Sequence, residues 1–355
     1  MPAQERLAGA LVRALAALPP AAQRALAGRP VRIDAQKLDP GVQLMLRVLA
    51  LAPEPPMETL PPDEARAQIR REAAAFAARP WPIGAVRDVQ VAGAAHPLRA
   101  RLYVPEDRRG ATARPLLVYF HGGGWVTGDL DTHDQPCRFL AREAGVLVLA
   151  VDYRRAPEHR FPAAADDALA AFRDAVARAG ELGADPRVVA VGGDSAGGNL
   201  ALVTALAARD DGGPRPALVA PVYPVTDLSS KHPSYALFGD GFFLTEAHMD
   251  WYRAHYLGGD EAAARDPRAS PLLAPDLAGL PPVLLVTAGF DPLRDEGEAM
   301  AARLREAGVA VAQRRHPGLI HGFVNAVALG GAPGDAMREL AGALRAGLAL
   351  ARAGR

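Results

Sequence analysis

The sequence predicts an α/β fold with a mainly parallel central sheet flanked by helices, and three features carry that prediction. From residue 116 onward, apolar and β-branched runs alternate with helical patterns. Strands that read as continuous apolar runs belong in sheets covered on both faces, and the intervening helices supply that cover. The chain has 355 residues, 50% of them hydrophobic, which is enough to bury one large core. The run Val188 to Gly192 enters Gly193-Asp194-Ser195-Ala196-Gly197, and a helical pattern over Asn199 to Ala208 leaves it. Such a strand–turn–helix places functional groups at the carboxyl ends of the strands.

Taken in order, residues 1–85 read as helical. In Met1 to Pro20, Leu7, Leu11, Leu15 and Leu18 recur at helical spacing while Glu5, Arg6 and Arg13 interrupt the apolar run. That pattern predicts an amphipathic helix rather than a signal peptide. Asp39 is a candidate N-cap with Pro40 in the first helical position, ahead of Val42, Leu46 and Leu49; Pro53, Pro55 and Pro56 end that helix. Asp63 to Ala78 makes a third, more charged helix. This preamble is too short and alanine-rich for much of a core, so it is expected to pack on residues 86–355. There the period changes. Val86–Val91 and Leu98–Val104 read as paired strands around Gly93. Further strands are predicted at Leu116–Phe120, Val146–Tyr153, Val188–Gly192, Ala217–Tyr223, Val283–Ala288 and Val309–Arg314. Helices are predicted at Gln135–Ala144, Ala164–Ala179, Asn199–Ala208 and Asp295–Ala307. One long insertion, at about 225–270, carries Phe238, Phe242, Phe243, Leu244, Trp251, Tyr252 and Tyr256. Long connections of this kind are lids or binding segments, or else aromatic-stapled helices on the sheet edge.

Composition excludes several function classes. Forty basic residues balance forty acidic ones, so no net field draws the chain to nucleic acid or anionic lipid. Cys137 is the sole cysteine, which rules out an intrachain disulfide and a thiolate cluster. His96, His133, His159, His232, His248 and His255 are scattered without ligand spacing, so neither metal nor cofactor is expected. No apolar run is long enough to span a bilayer, and a cytoplasmic location is the simplest expectation.

The chemistry follows from what a serine needs. Its hydroxyl is a poor nucleophile near neutral pH and requires a base, an orienting acid and an anion-stabilising pocket. Glycines at 193 and 197 and the small Ala196 leave room for a strained turn that lifts Ser195 above the sheet. Asp291 falls at the end of the strand from Val283, whereas Asp295 and Glu296 read as solvated charges or caps in the next helix. His321 lies in a glycine-flanked loop within reach of the serine; His316, one residue past its strand, is the weaker candidate base. His121-Gly122-Gly123-Gly124-Trp125 follows the Phe120 strand, and glycines let consecutive amides converge on one oxygen. A phosphate loop is disfavoured because no Gly-Lys-Ser/Thr follows and Thr127 stands where a dinucleotide pattern needs glycine. His121 reads as a brace for the loop, Cys137 as a core residue and Glu158 as structural.

These motifs, together with Asp152-Tyr153-Arg154-Arg155-Ala156-Pro157-Glu158, Asp291-Pro292-Leu293-Arg294-Asp295-Glu296 and His321-Gly322-Phe323, resemble the bacterial hormone-sensitive-lipase family of carboxylesterases. The likeness runs from about residue 85 to the C-terminus. It implies the α/β-hydrolase fold, a triad of Ser195, Asp291 and His321, oxyanion amides at Gly123, Gly124 and Ala196, and a helical cap made of the N-terminal helices and the insertion. Arg155 and His316 depart from the family's usual leucine and aromatic. The expected reaction is two-step acyl transfer on a small-molecule ester, with Trp125, Phe243 and Leu244 lining an apolar pocket for short to medium acyl chains. An amidase or arylformamidase with the same triad stays open. A prolyl-oligopeptidase-type peptidase is disfavoured because no propeller-like repeats are present, and a hydrolase-fold small-molecule receptor because His321 is in place. A homodimer through the Val309–Arg314 edge strand is compatible with the sequence but not demanded by it.

Overall fold

The structure, a computed structural model, describes residues 3–51, 54–77, 80–106 and 113–354. Met1, Pro2, Pro53 and Ala78 of the sequence prediction lie outside the described residues. The N-terminal segment forms α1 (Ala3–Ala16), α2 (Pro20–Ala27), α3 (Pro40–Leu51) and α4 (Pro62–Phe76). Asp39 caps α3 as expected: its Oδ1 accepts the amides of Gly41 (2.9 Å) and Val42 (3.1 Å).

Among the described residues an eight-stranded sheet follows. Its strands are β1 (Ala85–Val91), β2 (Leu98–Val104), β3 (Arg114–Phe120), β4 (Leu147–Val151), β5 (Ala184–Asp194), β6 (Val219–Val222), β7 (Val283–Phe290) and β8 (Val311–Ile320). Their spatial order is β8-β7-β6-β5-β3-β4-β2-β1. The antiparallel β1–β2 hairpin joins β4 in antiparallel register, and every other pairing is parallel. Parallel pairing requires crossovers, and the helices that make them are α5 (Asp134–Ala144), α6 (Ala163–Ala177) with the short α7 (Ala179–Leu182), α8 (Ala196–Asp210) and α11 (Arg294–Glu306). Alternation along β3 divides the core. Leu116, Val118 and Phe120 pack with Phe172, Leu200 and Met300 of α6, α8 and α11. Leu117 and Tyr119 pack with Phe139 and Leu344 of α5 and α12 (Gly331–Ala353). The insertion after β6 contributes α9 (Pro233–Phe238) and α10 (Glu246–Leu257), the latter capped by Thr245, whose Oγ1 accepts the His248 amide at 3.1 Å. Among the described residues no helix is long and apolar enough to cross a membrane.

Several boundaries, and the environment of one carboxylate, differ from the sequence expectation. β6 spans only Val219–Val222, because Tyr223 has a left-handed φ of +36° that ends the extended run. β8 continues past Arg314 to Ile320, with an irregular register between His316 and Ile320, so His316 lies inside the strand. α8 begins at Ala196 rather than Asn199, since the Asn199 amide already closes its first turn on the Ser195 carbonyl at 3.0 Å. Glu296 is not a solvated charge: it is fully buried, and its Oε1 accepts the amides of Thr226 (2.7 Å) and Asp227 (3.3 Å), pinning the start of the insertion to α11. α12 has no counterpart in the sequence reading.

Two stability experiments follow from this packing. A Cβ at Gly197 would lie 1.9 Å from the Phe120 carbonyl oxygen, whereas one at Gly342, inside α12, meets nothing within 4 Å. Gly197→Ala should therefore destabilise the fold by at least about 2 kcal/mol through backbone overpacking, and Gly342→Ala should stabilise it by about 0.5–1 kcal/mol, both read by urea unfolding. Burial pushes the Glu296 carboxyl well above its ordinary 4.5, against the opposing pull of the two amide hydrogen bonds. The folded state thus holds this proton more tightly than the unfolded chain does. The stabilisation from this group is complete below about pH 4.5 and is lost as pH rises through the folded value. Glu296→Gln keeps the acceptor and should flatten that pH slope in unfolding titrations, while Glu296→Ala should lose about 1–3 kcal/mol at every pH.

Candidate active site

Ser195 alone makes the turn between β5 and α8, at φ +56° and ψ −119°, a conformation costly for a residue with a Cβ. The surroundings hold it there. Its amide donates to the Val222 carbonyl (2.9 Å), and its carbonyl accepts the Asn199 amide. The glycines beside it have a steric reason, since a Cβ at Gly193 or Gly197 would fall 2.2 Å or 1.9 Å from the Phe120 carbonyl oxygen. The end of β3 and the serine turn therefore approach each other backbone to backbone.

Asp291 lies one residue beyond β7 and His321 one residue beyond β8, so both stand on the same rim of the sheet as Ser195. The His321 Nε2 is 3.0 Å from the Ser195 Oγ, and its Nδ1 is 2.8 Å from the Asp291 Oδ2. The other Asp291 oxygen accepts the Leu293 amide at 2.9 Å, and the carboxylate is wholly buried. Tyr223 packs against the imidazole with ring centroids 4.4 Å apart. His316 is half-buried within β8 against Phe323 and has no contact with Ser195.

The glycine tract after β3 turns through left-handed angles, φ +112° at Gly123 and +57° at Gly124. A Cβ at Gly124 would sit 2.1 Å from the Tyr252 ring, so glycine is needed there for close approach as well as for the angle. The amides of Gly123, Gly124 and Ala196 meet no protein acceptor among the described residues. The first amides of a helix have no partner within it, and these three groups are free to bind a developing negative charge. Gly122 is different: its amide donates to the Asp194 Oδ1 at 3.0 Å. The same carboxylate accepts the Tyr119 hydroxyl (2.7 Å) and lies 3.2 Å from the His133 Nε2. Burial acts to raise the Asp194 pKa, but facing His133 and the hydrogen bonds from His133 and Tyr119 win, and the group stays below the usual carboxylate range. Burial, with help from His133 and Arg155, pushes His121 down to about 3. Neutral His121 donates from Nδ1 to the Gly122 carbonyl at 2.8 Å and stacks on Tyr153, the bracing role read from the sequence.

These groups border a cavity of about 350 Å³ whose walls include Phe243 and Leu244 of the insertion and Leu49, Met57 and Phe76 of the N-terminal segment. Trp125 is not among them, a correction to the expected pocket. It is fully buried and stacks on Tyr256, ring centroids 4.1 Å apart and nearly parallel, because its left-handed φ of +59° turns the indole into the core. Sequence reasoning missed Asp194, His133 and Tyr119 as the support for the glycine tract. Only the position of Asp194 beside the serine hinted at it. The structural role of Glu158 has a partner in Arg66 of α4, with contacts of 2.6 and 2.8 Å.

Residues 117–325 match the family model for the alpha/beta hydrolase fold. The carboxylic ester hydrolase LipN of Mycobacterium tuberculosis is 47% identical over 347 residues, 95% of this chain and 90% of that protein. The ethyl acetate hydrolase of Pseudomonas putida is 42% identical, over 76% of this chain and 85% of its own. Among solved structures, the ester hydrolase EH1AB1 from the metagenome of Lake Arreo, complexed with a bipyridine phosphonate derivative, superposes with a TM-score of 0.84 at 42% identity. That likeness covers 87% of this chain and 98% of that one. With a matching family model, near full-length relatives and the same sheet, the chain belongs to the bacterial hormone-sensitive-lipase family of carboxylesterases, on the alpha/beta hydrolase fold.

Proposed function

We propose that the chain is a serine carboxylesterase that hydrolyses short- to medium-chain esters through an acyl-serine intermediate. The observation that carries it is the unbroken line from the Ser195 Oγ through His321 to Asp291, at 3.0 and 2.8 Å, beside three amides without acceptors. His321 takes the serine proton as Oγ attacks the ester carbonyl, and Asp291 stabilises the resulting imidazolium and fixes its orientation. The amides of Gly123, Gly124 and Ala196 receive the oxyanion. The C–O bond to the alcohol then breaks, the alcohol takes the proton from the imidazolium, and water repeats the sequence on the acyl-enzyme. The relatives named as a carboxylic ester hydrolase and an ethyl acetate hydrolase favour an ester over an amide. A cavity of about 350 Å³ is at the small end of the range for small-molecule pockets, which supports a modest acyl chain. The N-terminal helices and the insertion, whose residues form its walls, serve as the cap.

Ser195→Ala should lower kcat on p-nitrophenyl butyrate by at least about 10³-fold, and Asp291→Asn by a similar factor, with unfolding midpoints retained. Undiminished turnover by Ser195→Ala would overturn the mechanism. On matched butyryl esters and anilides, kcat/KM should favour the ester; the reverse preference would make the chain an amidase.

A further inference from the structure

The catalytic cavity does not end at Phe243. Behind that ring lies a second, smaller crevice of about 30 Å³, lined by Val42 and Met45 of α3, by Ile320, and by Phe323 and Ala326 beyond β8. The two spaces share Phe76, Phe243, His321, Gly322 and Asn325, so Phe243 lies on their common boundary. The residue is unusual in three respects. It has a left-handed φ of +77°, in a position where a residue with a Cβ is strained. It is 39% exposed although large and apolar. Among the described residues it makes none of the ring–ring contacts that fix its neighbour Phe242, which packs on Phe238 and Phe290 at 5.8 and 5.2 Å. Phe242 anchors the turn, and Phe243 projects from it half-exposed. What the ring does touch is telling. A Cβ at Gly322 would come within 3.0 Å of it, so the ring lies directly against the residue that follows His321.

The chemistry says which part of a substrate this crevice would take. In the proposed reaction the leaving oxygen must reach the His321 Nε2–H to collect its proton, so the alcohol portion lies on the imidazole side. The crevice borders His321 and contains none of the oxyanion residues, neither the Gly122–Gly124 tract nor Ser195. We infer that the Phe243 ring is a movable partition that closes this alcohol-side extension and thereby limits the size of the alcohol in the esters the enzyme accepts. The inference rests on the ester-hydrolase reading and deepens it: the substrate class is esters of small alcohols, with larger apolar alcohols admitted when the ring swings aside. It moves Phe243, expected from the sequence to line the acyl pocket, to the alcohol side. The crevice walls are apolar, so a longer alkyl or a benzyl alcohol gains there by burial, and a hydroxylated alcohol does not.

Two substrate series test it on the full-length enzyme. One varies the alcohol at constant acyl group, from methyl through ethyl, butyl and hexyl to benzyl butyrate, followed by pH-stat. The other varies the acyl group at constant alcohol, from p-nitrophenyl acetate to octanoate. Phe243→Ala should raise the hexyl-to-methyl and benzyl-to-methyl ratios of kcat/KM by about tenfold or more, as expected when a pocket gains room for added methylenes. Phe243→Trp should lower the same ratios, and the octanoate-to-acetate ratio should stay within about twofold for both variants. Phe243→Leu gives the same direction with a smaller change and carries the test if the alanine variant does not fold. Unchanged alcohol ratios in the folded variants, or an acyl ratio that moves as far as the alcohol ratio, overturn the partition. A wild-type enzyme inactive on both series would instead overturn the esterase reading beneath it.

Discussion

The carbonyl of Phe120 fixes the rest of the site. It points into the space that side chains at Gly193 and Gly197 would occupy, with clearances no Cβ would tolerate. Because β3 and β5 are neighbours in parallel register, with Phe120 opposite Gly193, the two strand ends meet at one level. The next residues on one strand are the glycine tract, and the next on the other are the serine turn. The separation between Ser195 and the glycine tract is therefore set by a backbone contact, which has no rotamers to sample. The Asp194 carboxylate then ties the two together by accepting the Gly122 amide from the adjacent loop.

Three buried carboxylates around this point show how environment, not residue type, assigns the role. Asp194 is enclosed by hydrogen-bond donors and by His133, so it remains charged in spite of its burial. Asp291 has the His321 ring on one oxygen and the Leu293 amide on the other. Glu296 receives two amides on one oxygen, has no partner among the described residues on the other, and is driven toward its neutral form. An unpaired charge in such surroundings would be far more costly than a retained proton.

This distinction explains how much was legible in the chain. The strands and their alternation were visible because burial on both faces writes itself as contiguous apolar runs. Ser195 and Asp291 stood out because each stands just past such a run, and His321 because glycines flank its loop. Glu296 looked like a solvated helix charge because nothing local records that Thr226 and Asp227, some seventy residues earlier, deliver two amides to it. Trp125 looked like a pocket wall for a similar reason. Its neighbours in sequence line the cavity, and only the left-handed backbone at 125, with Tyr256 waiting in α10, turns it inward. His133 gave no signal at all, since a lone histidine before a helix has no pattern. Local periodicity reports burial; it does not report which distant backbone group meets a given side chain.

The walls of the cavity come from segments remote in sequence from Ser195, Asp291 and His321, which would ordinarily let the walls vary without disturbing those residues. Here the separation is incomplete. Tyr252, on α10, donates its hydroxyl to the Met57 sulfur, contacts the Thr127 hydroxyl at 3.2 Å, and places its ring where a side chain at Gly124 would be. The Phe243 ring comes nearly as close to Gly322, where a Cβ would lie 3.0 Å from it. Two aromatic rings of the insertion thus rest on two glycines, one in the tract after β3 and one next to His321. Glycine at 124 and 322 lets the wall close down onto the tract and His321, and it also makes their position depend on the wall. A change in either ring therefore reaches them through one van der Waals contact.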